Sequence, residues 1–290
     1  MIINQSAKIA ILVCVLLLAG CAGQVEPDEP VKLTPVPQLL EQGNRKLQSK
    51  HYVSAIFFYQ QVLEQESNNT PALLGIADAS LATNKHSDAS KGYENVLTNE
   101  PGNLHANEGK GLVYLKRYDY VRAKKQLTEV LSKDKTRWRS WNALGIIADL
   151  EGLHETAQQN FKKALSVDKA NTTVLNNLGY SLMMSHQYQA AEKVFREGLN
   201  YAPGFFRIRN NLAISLAWQS RYDEAINILV KVVKHEIAYN NIGYIAMLNK
   251  QYSVAENYFK KAIFISPSYY VRAARNLEKV ENLKRLGIAP

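Results

Sequence analysis

Cysteine is almost missing from this chain: of 290 residues only Cys14 and Cys21 carry a thiol. A fold stapled by disulfides is thereby excluded. Long apolar stretches are scarce too. The run Ile9 to Ala19 has eleven residues, too short to span a bilayer as a stable helix. The six histidines (His51, His86, His105, His154, His186 and His235) are scattered, and none stands at ligand spacing with a second His or Cys. His154-Glu155 lacks the later histidine of a zinc-protease helix, and Gly109-Lys110-Gly111 lacks the other glycines and the Ser/Thr of a phosphate loop. No Gly-x-Ser-x-Gly occurs. These gaps predict no catalytic residue, no metal site, no cofactor and no small-molecule substrate; the chain is not expected to be an enzyme.

What the chain does have is a period. Ala55, Ala89, Ala123, Ala157, Ala191, Ala225 and Ala255 stand 34 residues apart, the last interval being 30. A fixed period of that length marks a stacked helical array. Twelve residues before each alanine sits Gly or Ala (Gly43, Ala77, Gly111, Gly145, Gly179, Ala213, Gly243), and four after it a bulky residue (Tyr59, Tyr93, Leu127, Phe161, Phe195, Leu229, Phe259). Eight after it comes an aliphatic residue, from Leu63 to Ile263. Offsets of four and eight share one helical face, so the small residue twelve back belongs to a preceding helix. Each unit is a helix hairpin in which a tiny side chain lets the partner approach and a bulky one fills the gap.

The residues Trp141, Leu144, Gly145, Ala157, Phe161 and Ala164 in one unit resemble the tetratricopeptide repeat. Leu175, Leu178, Gly179, Ala191, Phe195 and Pro203 in the next do the same. Pro101, Pro203 and Pro267 fall where that repeat ends its second helix. The likeness covers Leu39 to Ser268, seven units, with Lys46 and Ser80 departing from the pattern in the first two. The resemblance implies an all-α fold, an α-solenoid of about seven tetratricopeptide hairpins. An amphipathic helix, Ser268 to Gly287, follows as a cap for the terminal unit. The sixth unit is four residues short around His235. Its second helix is expected to run into the next through a shortened turn, with a local change of stacking angle.

Before the repeats, Lys8 precedes the apolar run, which ends Leu18-Ala19-Gly20-Cys21. That resembles a bacterial lipobox, so residues 1–20 read as a lipoprotein signal peptide and Cys21 as the lipid-attachment site. Several acyl chains, at about 0.8 kcal/mol per buried methylene, make a stable membrane anchor. Ala22 in place of Asp implies the outer membrane. Residues 21–38 hold Pro27, Pro30, Pro35 and Pro37 and read as an extended tether. Residues 39–268 are then the array and 269–290 the cap and tail. Net charge is +9. It concentrates in Leu104 to Arg137, where nine cations face four anions, a balance of +5. An exported lipoprotein is not expected to bind nucleic acid, which leaves an anionic surface, an acidic protein segment or an ordinary solvated face.

Asparagine marks the candidate binding surface. Asn142, Asn176, Asn210 and Asn240 recur in register on first helices, with Asn177, Asn211 and Asn241 beside the last three. Asn is about 0.5 kcal/mol worse than Ala inside a helix, so its repetition asks for a reason. Four residues on lie Ile146, Tyr180, Ile214 and Tyr244, and three residues before Asn142 and Asn210 lie Arg139 and Arg207. In tetratricopeptide proteins this face lines the concave groove, which implies peptide binding; an amide ladder between repeats is the other reading. Trp218, Met183, Met184 and Met247 lie beside it, either as adaptable contacts or as core. The stretch Thr172 to Asn276, with Asn176-Asn177-Leu178-Gly179-Tyr180 and Arg209-Asn210-Asn211-Leu212-Ala213, resembles the TadD family of tight-adherence (Flp) pilus lipoproteins. This implies a scaffold for pilus assembly, pilotin-like toward a secretin, with protein partners. The alternative is a general envelope adaptor recruiting periplasmic proteases or cell-wall hydrolases.

Overall fold

The computed structural model describes residues 33–266, 268 and 270–286. The signal segment, Cys21, most of the tether and Pro267 lie outside the described residues. Those described form fifteen α-helices and no strand. The first three hairpins pair α1 (Val36–Gln48) with α2 (Tyr52–Gln65), α3 (Thr70–Ala82) with α4 (His86–Asn99), and α5 (Leu104–Lys116) with α6 (Tyr120–Lys133). Then come α7 (Trp138–Leu150) with α8 (His154–Val167), and α9 (Thr172–Met184) with α10 (Tyr188–Tyr201). The last two pair α11 (Phe206–Trp218) with α12 (Tyr222–Leu229) and α13 (His235–Leu248) with α14 (Tyr252–Ile265); α15 (Val271–Arg285) closes the series. None is long and apolar enough to cross a membrane.

Local sequence explains where the helices start and stop. Helix α1 begins at Val36 rather than Leu39, because Pro35 at its N-cap and Pro37 in its first turn sit where no intrahelical N–H partner is needed. The last residues assigned to the tether therefore belong to the array. Asn69, Asn103 and Asn171 cap α3, α5 and α9, each accepting from the backbone N–H three residues on at 3.0–3.1 Å. Such caps contribute about 1 kcal/mol each. Every hairpin turns through one left-handed residue: Lys50, Asn84, Tyr118, Gly152, His186, Ser220 and Lys250.

Packing within a hairpin is as the period predicts. A Cβ built on Gly145 would stand 2.5 Å from the Phe161 ring, and one on Gly179 2.4 Å from Phe195. Between hairpins, each first helix approaches the first helix of the next unit, whereas no two successive second helices do so among the described residues. The first helices therefore form the inner, concave wall and the second helices splay outside.

The sixth unit departs from expectation. Helix α12 has eight residues against fourteen in the other second helices, yet the connection Val230–Lys234 has five residues where those between the earlier hairpins have four. The deletion falls on the outer helix and the turn is not shortened. Helix α13 keeps full length because Gly243 must still meet Phe259 at the hairpin joint. Helix α15 buries Ala273 and Val280 against the last hairpin, and Lys284 donates to Glu256 at 2.7 Å.

Candidate protein-interaction surface

The inner wall is built in two ways. In the first units the filling ring is tyrosine, whose hydroxyl needs room and a partner. A Cβ on Gly75 would lie 2.4 Å from the Tyr59 ring, and one on Gly109 2.3 Å from that of Tyr93, so the next repeat must offer glycine there. The Tyr59 hydroxyl donates to Asn44 at 2.7 Å and that of Tyr93 to Asp78 at 2.5 Å. Burial pushes the Tyr59 phenol up to about 12 and, with Asp78 alongside, raises that of Tyr93 further.

Asp78 is the centre of a charged network across three repeats. His105 lies 2.9 Å from it and Arg139 3.8 Å. Burial alone would raise its carboxyl, but His105, Arg139 and the Tyr93 hydroxyl together hold it below the ordinary value. Glu108, only 3% exposed, occupies the register of the asparagines and accepts from Ser140 N–H (3.0 Å) and Oγ (2.7 Å). His105, Glu108, Arg137, Trp138 and Arg139 border a cavity of about 400 Å³. Of the cations in the basic third unit, Lys110, Arg122, Lys124, Lys133 and Arg137 pair with carboxylates, as an ordinary solvated face would.

From α7 onward the wall changes character. Asn177 Nδ2 donates to Asn142 Oδ1 at 2.9 Å, Asn211 to Asn176 at 3.0 Å, and Asn276 of α15 to Asn240 at 2.9 Å. The amides do form a ladder between repeats. No corresponding bond joins Asn241 to Asn210 among the described residues, and this gap falls at the shortened sixth unit. Other bonds hold that joint: Asn249 donates to the Ala217 carbonyl (3.2 Å) and Tyr258 to Asp223 (2.9 Å).

Beside the ladder runs an apolar strip, two residues per first helix: Ile146 and Leu150, Tyr180 and Met184, Ile214 and Trp218, Tyr244 and Leu248. Leu150, Tyr180, Met184, Tyr244 and Leu248 are 40–60% exposed, and Trp218 stacks on Tyr188 with ring centroids 5.7 Å apart. Three cavities open on this half. Asn177 and Tyr180 border one of about 370 Å³, Asn240 and Tyr244 one of about 380 Å³, and Asn142 and Arg207 one of about 460 Å³.

The proposed groove residues thus separate. Asn142, Asn176, Tyr180, Arg207, Asn210 and Tyr244 share the second half of the wall, whereas Arg139 turns back to Asp78 and Asn240, only 2% exposed, is buried in its rung with Asn276. Met183 and Met247 are core at 4% exposure each. Sequence reasoning missed Asp78, Glu108, Gly75 and the packing role of Gly109. Their signal was present all the same: each glycine follows its tyrosine by sixteen residues, and Glu108 precedes Asn142 by one full period. Ser181, His154 and Asp149 meet as a Ser/His/Asp group, but the fully buried Ser181 donates to Asp149 (2.7 Å) rather than to the imidazole. That geometry is a structural bond, with no activated nucleophile.

A family model described as the tetratricopeptide repeat protein 21 C-terminal ARM domain matches residues 38–215, and tetratricopeptide-repeat models match 207–234 and 237–269. No curated protein sequence matches the chain. Similar solved structures include a thermophilic TPR protein of Thermus thermophilus (16% identity, 63% of this chain and 99% of that one, TM-score 0.57). The C-terminal part of a TPR repeat-containing protein from Cytophaga hutchinsonii covers 82% and 99% at 17% identity, TM-score 0.56. Pseudomonas aeruginosa pilF covers 85% and 96% at 14% identity, TM-score 0.52. At these identities the likeness is one of fold. Arrays of this kind serve as protein-binding scaffolds, and the matched family is not an enzymatic one. Stacked hairpins, their 34-residue register and the matching family models together place the chain in the tetratricopeptide-repeat family.

Proposed function

We propose that this chain is a lipid-anchored scaffold on the periplasmic face of the outer membrane. It holds a polypeptide component of a tight-adherence pilus machine along its inner wall and acts in a pilotin-like way toward a secretin. The observation that carries the binding part is the run of four apolar pairs beside half-buried amides on α7, α9, α11 and α13. Solvent-facing Tyr180, Met184, Tyr244 and Leu248 lie in line on one wall, and contiguous apolar surface of that kind marks an interaction site. The anchor reading rests on Leu18-Ala19-Gly20-Cys21. The pilus reading rests on the resemblance of Thr172 to Asn276, the stretch that supplies α9 to α14.

Deleting the gene is expected to abolish surface pili or secretin multimers, read by microscopy and by heat-resistant secretin bands; normal levels of both would refute the pilus role. Cys21→Ala is expected to abolish acyl labelling and release the protein from the membrane fraction.

A further inference from the structure

The second half of the inner wall is uneven in charge. The cavity beside Asn142, Ile146 and Leu150 is bordered by Lys116 and Arg207, and the one beside Asn240 and Tyr244 by Arg272. All three cations are exposed, and none has an ion-pair partner among the described residues. Across the three cavities the single carboxylate is Asp149, and it is already taken by His154 at 2.9 Å and Ser181 at 2.7 Å. At the start of α7, by contrast, where the wall meets the first half, the arginines face carboxylates: Arg139 meets Asp78, and Arg137 meets Asp134.

Resting on the groove reading above, we infer that the occupant is an acidic amphipathic segment of a partner polypeptide. Its apolar side chains lie on the strip from Ile146 to Leu248, and its Asp or Glu carboxylates meet Arg207 and Arg272. The asparagine amides between strip and cations offer polar contacts to its backbone. Opposite potentials across an interface set partner choice and association rate. An apolar peptide without acids would leave two guanidiniums uncompensated, and a basic one would be repelled.

The test uses the full chain in detergent and two labelled 20-residue peptides. Both carry the same leucine face, one with Glu and the other with Lys on its flanks, and binding is read by fluorescence anisotropy. The Glu peptide is expected to bind at least tenfold more tightly than the Lys peptide and to weaken with added salt. Arg207→Glu with Arg272→Glu is expected to reverse that preference, and Tyr180→Ser with Tyr244→Ser to abolish binding of both. Equal binding of the two peptides, unchanged by charge reversal, would overturn the acidic assignment while leaving the groove reading intact. Binding of neither peptide would remove both. A dimer of the wild-type chain that Arg272→Glu dissolves, seen by sedimentation, would assign the wall to a second copy and overturn the proposal.

Discussion

Units one and two and units four and five solve one problem with different chemistry. Between stacked hairpins a bulky ring must be covered by the next first helix. Tyr59 and Tyr93 use glycine for this, Gly75 and Gly109, and direct their hydroxyls to Asn44 and Asp78. Phe161 and Phe195 have no hydroxyl to place, so the equivalent positions carry Asn177 and Asn211, which reach back to the previous repeat. The tyrosine joints engage polar groups of their own first helices, Asn44 and Asp78. The phenylalanine joints leave amides and an apolar strip facing the concave side. A one-atom difference in the core thus accompanies a change in what the wall offers a partner.

The largest effect that would break this comparison is expected at a glycine. Gly109→Ala should cost about 3 kcal/mol through overpacking against the Tyr93 ring. Adding Tyr93→Leu should recover most of that, since Leu127 over Ala143 is the natural third joint. Chemical denaturation of the four variants of this cycle measures the coupling; an additive cycle would mean the ring and the glycine do not meet.

Next comes Asp78, where loss of a charge-assisted network should make Asp78→Asn cost about 2 kcal/mol at neutral pH. Its carboxyl is held below the ordinary value of 3.8. The stabilisation is therefore complete above that value and lost as pH falls through the lower folded value. The gap between variant and wild type should narrow as pH falls below the ordinary value, and a gap that never narrows there would contradict the network.

Smaller again, Asn176→Ala removes a rung and should cost about 1 kcal/mol. Asn210→Ala should stay within about 0.5 kcal/mol because no rung links it to Asn241. Equal costs for the two would mean the ladder runs unbroken through the sixth unit.

Much of this was legible in the sequence because a repeat states each rule seven times. The small residue at Gly145, the ring at Phe161 and the turn between them follow from period and helical geometry alone. The amides at Asn142 and Asn176 stood out by register, but sequence could not tell a ladder from a binding row, since both need polar groups at one height. The fate of Arg139 was hidden because its partner, Asp78, lies two repeats away. The shortened sixth unit shows another limit. A count of missing residues does not say whether helix or turn absorbs them; the need to keep Gly243 against Phe259 decides that.

The central claim is that partners lie on the amide-lined, apolar half of the concave wall. Site-specific photo-crosslinking in living cells tests it most directly, with the reactive residue placed at position 180 or 244, at 78 in the first half, or at 121 on the outer face. The account predicts one and the same adduct from 180 and 244 and none from 78 or 121. Adducts of equal yield from the outer face, or none from the two inner tyrosine positions, would contradict it.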